Sequence, residues 1–251
     1  MDLPATPSFI LQAGFIILSA IVCIWWIWAM ARSYAKPQAT FNRTVAAKTT
    51  LFLLGWTAVL ITLSHSDWIH TFEVFPPYGL RFFIALLVIS SIIVMSQIGL
   101  QLVRTLPIYL LVGFQAFRIP VELLIHQAAN AGLAPMEMTY FGRNFDIISG
   151  LSAIVLALFL FRRVISAKIL LLWNVLAMAL LTNVVVVAIL SMPHPLQVLN
   201  TDPANVWVTY SPFILLPGVL VCSAFFGHLL VFRYLRQFNH NPAFRAESRL
   251  C

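Results

Sequence analysis

The chain alternates between long apolar runs and short breaks rich in proline, aromatic and charged residues. Seven runs, at 9–30, 48–66, 80–103, 107–129, 145–161, 168–191 and 211–232, read as helices crossing a bilayer. Such a crossing takes about 20 mostly apolar residues for a hydrocarbon layer of roughly 30 Å, with every backbone polar group bonded inside the helix. The predicted fold class is all-α: a single polytopic transmembrane bundle of about seven spans, followed by a basic tail over 233–251. The second and fifth runs are the shortest, so six full spans with one tilted or broken span is the alternative. No internal repeat, low-complexity tract or soluble domain interrupts the pattern.

Composition strengthens this reading. Of 251 residues, 61% are hydrophobic and 9% charged, whereas a soluble domain has roughly 45–50% and 25%. The net charge of +7 does not indicate nucleic acid, because the basic residues stand at the ends of apolar runs instead of forming a stripe. Cys23 and Cys222 lie inside apolar runs and Cys251 ends the sequence, so no disulfide framework or thiolate metal site is expected. Ahead of Phe9 there is no Lys or Arg, and the first run reads as a retained helix.

Charge sets the expected orientation. The breaks on one side collect Arg32, Lys36, Arg43, Lys48, Arg104, Arg162, Arg163, Lys168, Arg233, Arg236, Arg245 and Arg249, twelve of the fifteen Lys and Arg residues. Arg81 and Arg143 fall on the other side and Arg118 within a span. By the positive-inside rule the N-terminus is outside and the C-terminus cytoplasmic, and a bacterial inner membrane is the expected location. Aromatic residues near both boundaries, among them Trp26 on the inner side and Trp207 on the outer, read as interfacial belts.

Within the fourth run, Arg118, Glu122 and His126 recur every fourth residue and share a helix face. A charge at that depth costs roughly 2.5–3.5 kcal/mol on insertion scales and calls for a partner or a wet cavity. One reading is a structural ion pair of Arg118 with Glu122, capped by His126; the other is a face lining an outward-opening pocket. Pro120 and Pro217 predict kinks in the fourth and seventh spans. The external loop leading into the fifth span carries Arg143, Asn144 and Asp146. Asn144 reads as an N-cap, with Asp146 complementing the helix dipole. If the loop folds back, Arg118 and Arg143 would make an anion-attracting corner beside Glu122, His126 and Asp146.

His65, Asp67 and His70, together with His126, are residue types that hold a divalent metal, although their spacing matches no metal motif. Gln97, Gln101 and Gln115 are placed to hydrogen-bond between the third and fourth spans, and His228 reads as interfacial.

The run Arg118-Ile119-Pro120-Val121-Glu122 with His126, then Met138-Thr139 and Gly142-Arg143-Asn144-Phe145-Asp146, resembles a bacterial family of uncharacterised multi-pass membrane proteins. The resemblance covers roughly residues 115–150 and implies no activity. The topology is also similar to that of microbial rhodopsins, but residues 211–232 contain no lysine for a retinal Schiff base. It is similar as well to seven-span hydrolases related to alkaline ceramidases, whose last helix carries an HxxxH zinc pair; here His228 stands alone.

Three functions fit this pattern. The first is binding or transport of a small anionic or amphiphilic, lipid-like ligand at Arg118, Glu122, His126, Arg143, Asn144 and Asp146. The second is an intramembrane enzyme acting on a lipid-like substrate, with Glu122 or His126 as general base and a divalent metal as its stronger form. The third is a sensor or assembly subunit whose partner is another membrane protein or a second copy of the chain. Binding ranks first because no nucleophile–base pair is present.

Overall fold

The computed structural model describes residues 3–37, 39–162, 165–195 and 197–244. The expected basic positions Arg163, Arg245 and Arg249, and Cys251, lie outside the described residues. About 72% of the chain is helical, and the described residues contain no strand. The protein is an all-helical integral membrane bundle with six helices long and apolar enough to cross a bilayer and a shorter seventh.

Helices α1 (Phe9–Ser33) and α2 (Arg43–Leu63) form the first pair. Ser8 Oγ accepts the Leu11 N–H and Asn42 Oδ1 accepts the Val45 N–H, so short polar side chains satisfy N-terminal amides of both helices. Most of α2 faces outward and it buries Leu60 alone. Such exposure of apolar side chains is stable only where lipid replaces water.

The third expected span, 80–103, is two elements. Helix α3 (Tyr78–Met95) stops at Ser96, whose ψ of 179° leaves the helical region, and α4 (Gln97–Thr105) leaves in a new direction with Ser96 Oγ capping Ile98. The Arg233 guanidinium donates to the carbonyls of Val94 and, at 2.6 Å, Ser96, so a cation closes the C-terminal end of α3 where the helix dipole favours it.

The fourth span runs from α5 (Ile108–Phe114) through a 3₁₀ turn at Gln115–Phe117 into α6 (Arg118–Asn130). Pro120 falls in the first turn of α6, where a missing N–H costs little, and the break that accommodates it is the tightened turn just before. At the other end Gly132 takes φ 71°, with the Gly132 and Leu133 amides returning to Ala129 and Ala128. This αL closure suits glycine because no Cβ meets the backbone.

Helices α7 (Ile147–Arg162) and α8 (Ala167–Leu190) follow. The last span begins as a π-helical stretch, Leu216–Val221, and continues as α9 (Cys222–His240). Pro217 lies in that stretch, so the expected break in the seventh span is local π winding; the Phe213 carbonyl takes the Leu216 N–H instead. Helix α9 reaches His240, so Arg233 and Arg236 are helical.

The core runs down the middle of α1, α6 and the last span. Phe15, Trp207 and Phe213 pack ring against ring at centroid distances of 5.1–5.7 Å. Trp207 is therefore core and not interfacial, and Trp26 is likewise buried, donating to Ser223 Oγ at 3.1 Å. The polar side chains expected to bridge the third and fourth spans bond elsewhere: Gln115 to the Ala224 carbonyl and Gln101 to that of Ser33.

Replacing Arg233 with Ala should lower stability by about 1–3 kcal/mol, the usual cost of a lost charge-assisted hydrogen bond. Arg233→Lys should recover part of it, read as detergent-solubilised unfolding midpoints.

Candidate functional site

Arg118 is the eleventh residue of the 23-residue span Ile108–Asn130, which puts a guanidinium near the bilayer midplane. It is 2% exposed, and all five of its N–H groups have acceptors. Nε donates to Asp146 Oδ2 at 2.5 Å and Nη2 to Asp146 Oδ1, a two-pronged ion pair. Nη1 and Nη2 also reach the Ala177 carbonyl of α8 at 3.5 and 3.3 Å, and Nη1 reaches His228 Nε2 of α9 at 2.9 Å.

Arginine only donates, so Nε2 of His228 must be the acceptor and the imidazole proton must sit on Nδ1. Nδ1 lies 2.8 Å from Asn174 Oδ1, and the Asn174 amide in turn donates to the His228 carbonyl at 3.1 Å. His228 is thus not interfacial: at 0% exposure it is part of the buried network. Neither His228 nor Asn174 shows in the spacing of the fourth run, because each arrives from a helix distant in sequence. Their only signal is that they are polar residues inside apolar runs.

The expected partner of Arg118 was Glu122, but the ion pair forms with Asp146 instead. The reason lies in the approach of α7 to α6. A Cβ on Gly150 would come within 2.7 Å of Ile119 Cγ1 and 3.0 Å of the Ile119 amide nitrogen. Glycine lets the two backbones meet and carries Asp146, four residues earlier, onto the guanidinium.

Asn144 stands three residues before α7. Its Oδ1 accepts the Asp146 N–H at 2.9 Å, and its amide donates to Glu122 Oε2 at 2.7 Å and to the Met138 carbonyl at 2.9 Å. It holds the loop down onto Glu122 as well as organising the start of the helix. Glu122 is 1% exposed, with Oε2 bonded to Asn144 and no donor to Oε1 among the described residues.

The other expected residues lie apart from this network. His126, two turns beyond Arg118, has rotated by roughly 80° around the helix at 3.6 residues per turn. It bonds Asn130 at 3.1 Å and packs between Tyr140 and Phe141. The Arg143 side chain is exposed, while its backbone is engaged: its N–H donates to the Glu137 carbonyl at 2.9 Å and its carbonyl accepts from the Asn183 amide at 2.6 Å. The anion-attracting corner is therefore not assembled: Asp146 compensates Arg118, and Arg143 points away.

Among the described residues no group of three or more His, Cys, Asp or Glu is close enough to hold a metal ion. His65 and Asp67 are exposed, while both ring nitrogens of His70 are hydrogen-bonded, to Thr209 and to the Ser64 carbonyl.

A cleft reaches this network from the side of the bundle. Helices α3 and α8 both pack on α9 and leave between them a cleft with a cavity volume of about 100 Å³. Its walls are apolar side chains of α3, such as Phe83 and Leu86, and of α8, such as Leu181 and Val185, with the π-helical stretch behind. Arg118, Glu122 and Asp146 are the charged residues among its lining.

Asp146→Asn should destabilise the protein by about 3–5 kcal/mol, because it leaves a buried guanidinium uncompensated. Arg118→Met combined with Asp146→Leu should cost much less than the sum of the single changes, which a double-mutant cycle of unfolding midpoints would measure. Gly150→Val should destabilise by about 1–3 kcal/mol through overpacking against Ile119.

No family model, curated protein or solved structure matches the chain, so what the site can do has to come from its own geometry.

Proposed function

We propose that the protein binds an amphiphilic, lipid-like molecule in the cleft between α3 and α8. The observation that carries this reading is the distribution of polarity in the cleft: apolar walls along two helices, ending at Arg118, Glu122 and Asp146. Mostly apolar walls with a few convergent polar groups are the usual lining of a small-molecule site. An all-apolar gap between membrane helices would be filled by side chains or acyl tails with no polar terminus.

The cleft belongs to the half of the bundle that carries the N-terminus, since its lining includes Gly79 at the start of α3 and Met192 just beyond the end of α8. With the basic breaks inside, that half faces outward, and the bacterial inner membrane is the location this reading takes. The molecule then enters from the outer leaflet, sideways between α3 and α8. Movement of the bound molecule would draw on the last span, where π winding around Pro217 gives the wall of the cleft a second way to wind.

The test is to fill the cleft. Ala188 lines it on α8, and Ala188→Trp should leave the protein folded and monodisperse while removing most of the amphiphile that co-purifies with the wild type, read by native mass spectrometry from lipid nanodiscs. Wild-type protein that carries no amphiphile and gains no stability from added alkyl amphiphiles would overturn the reading.

A further inference from the structure

We infer that the polar group received at the inner end of the cleft is a hydrogen-bond donor carrying positive charge, a primary ammonium on an alkyl chain, and not an anion. The inference rests on the cleft being a binding site and concerns which head group it takes. Three positions decide it.

Arg118 is the sole basic residue among the cleft lining, and its five N–H groups already point at Asp146, Ala177 and His228. An entering carboxylate or phosphate would have to displace Asp146 from a two-pronged pair, leaving that carboxylate buried without its counter-ion. Arg143, the other cation near this end, has an exposed side chain.

Glu122 is in the opposite condition. It is buried, lines the cleft, and has one oxygen held by Asn144 while the other has no donor among the described residues. With Arg118 and Asp146 compensating each other, Glu122 is the group at this end of the cleft whose capacity to accept is unfilled. An ammonium supplies three N–H donors and the missing positive charge. A hydroxyl supplies one donor and no charge, and a carboxylate supplies no donor and a charge of the wrong sign.

The apolar part of the ligand has a defined track. Glu122 lies one turn beyond Arg118 on α6, and Leu181 one turn beyond Ala177 on α8, so the head-group position is level with Leu181. From there the lining continues along α8 to Ile189, roughly 12 Å at 1.5 Å per residue. An alkyl chain lying along this wall would replace contacts otherwise made by lipid.

The experiment compares dodecylamine, dodecan-1-ol and dodecanoate at pH 7 on the full chain in lipid nanodiscs, using wild type, Glu122→Gln and Ala188→Trp, with binding read by titration calorimetry. Dodecylamine should bind wild type at least about tenfold more tightly than dodecanoate, as a charge-assisted bond in an apolar site implies. Glu122→Gln should bring the two to within about twofold, and Ala188→Trp should weaken all three. Dodecanoate binding as tightly as the amine, or an amine preference that survives Glu122→Gln, overturns the head-group inference. If all three bind equally and Ala188→Trp abolishes them, the cleft reading stands and this inference falls; if none binds, both fall. Should Glu122→Gln fail to fold, the ratio of amine to carboxylate affinity on wild type decides alone.

Discussion

A guanidinium at the bilayer midplane has five donors and a full charge, and neither can be left to lipid. The environment that satisfies Arg118 is assembled from four elements: α6 carries it, the loop before α7 brings Asp146, α8 offers the Ala177 carbonyl, and α9 offers His228. Each contribution constrains where its element lies. The α7 entrance must close onto α6, which Gly150 permits, and α8 and α9 must stand near enough for Asn174 to grip His228 from both sides. In water such a network would be worth little, because each group would exchange protein partners for solvent. In a bilayer the alternative is an unsatisfied polar group in hydrocarbon, and the arrangement becomes a constraint on the whole bundle.

The same network separates two acids that look alike in the sequence. Asp146 is fully engaged in holding the bundle together, whereas Glu122 is buried, held by one amide, and among the lining of the cleft. The division leaves one acid compensated within the brace and the other beside it at the cleft. Under the proposed binding function, that second acid would be the group that responds to an entering molecule.

Much of the architecture was legible in the sequence because lipid imposes a simple rule on it. Seven apolar runs marked the spans, and the recurrence of Arg118 and Glu122 at a helical interval marked the face of α6 that carries buried charge. What stayed hidden was decided by tertiary neighbours. Ser96 is an unremarkable residue within an apolar run, and only the turn toward α4, closed by Arg233 from 137 positions away, reveals the break. Asp146 looked like a first-turn acid because local sequence shows only its own helix. His228 and Asn174 identify each other only once α8 and α9 are side by side. His126 continued the spacing, but each step of four residues turns it by about a further 40°, enough over two steps to leave the site.

Helix α7 has 16 residues, which at 1.5 Å per residue amounts to roughly 24 Å, some 6 Å less than a typical hydrocarbon core. A loop packed below the surface plane ahead of the helix would absorb that hydrophobic mismatch. The loop can do so because it bonds to itself: Met138 to Pro135, Gly142 to Thr139 and Arg143 to Glu137, with Leu133, Ala134 and Thr139 fully packed. Irregular backbone at that depth is tolerated where protein surrounds it. The short helix is thus what lets an aspartate from the loop before it reach the Arg118 guanidinium.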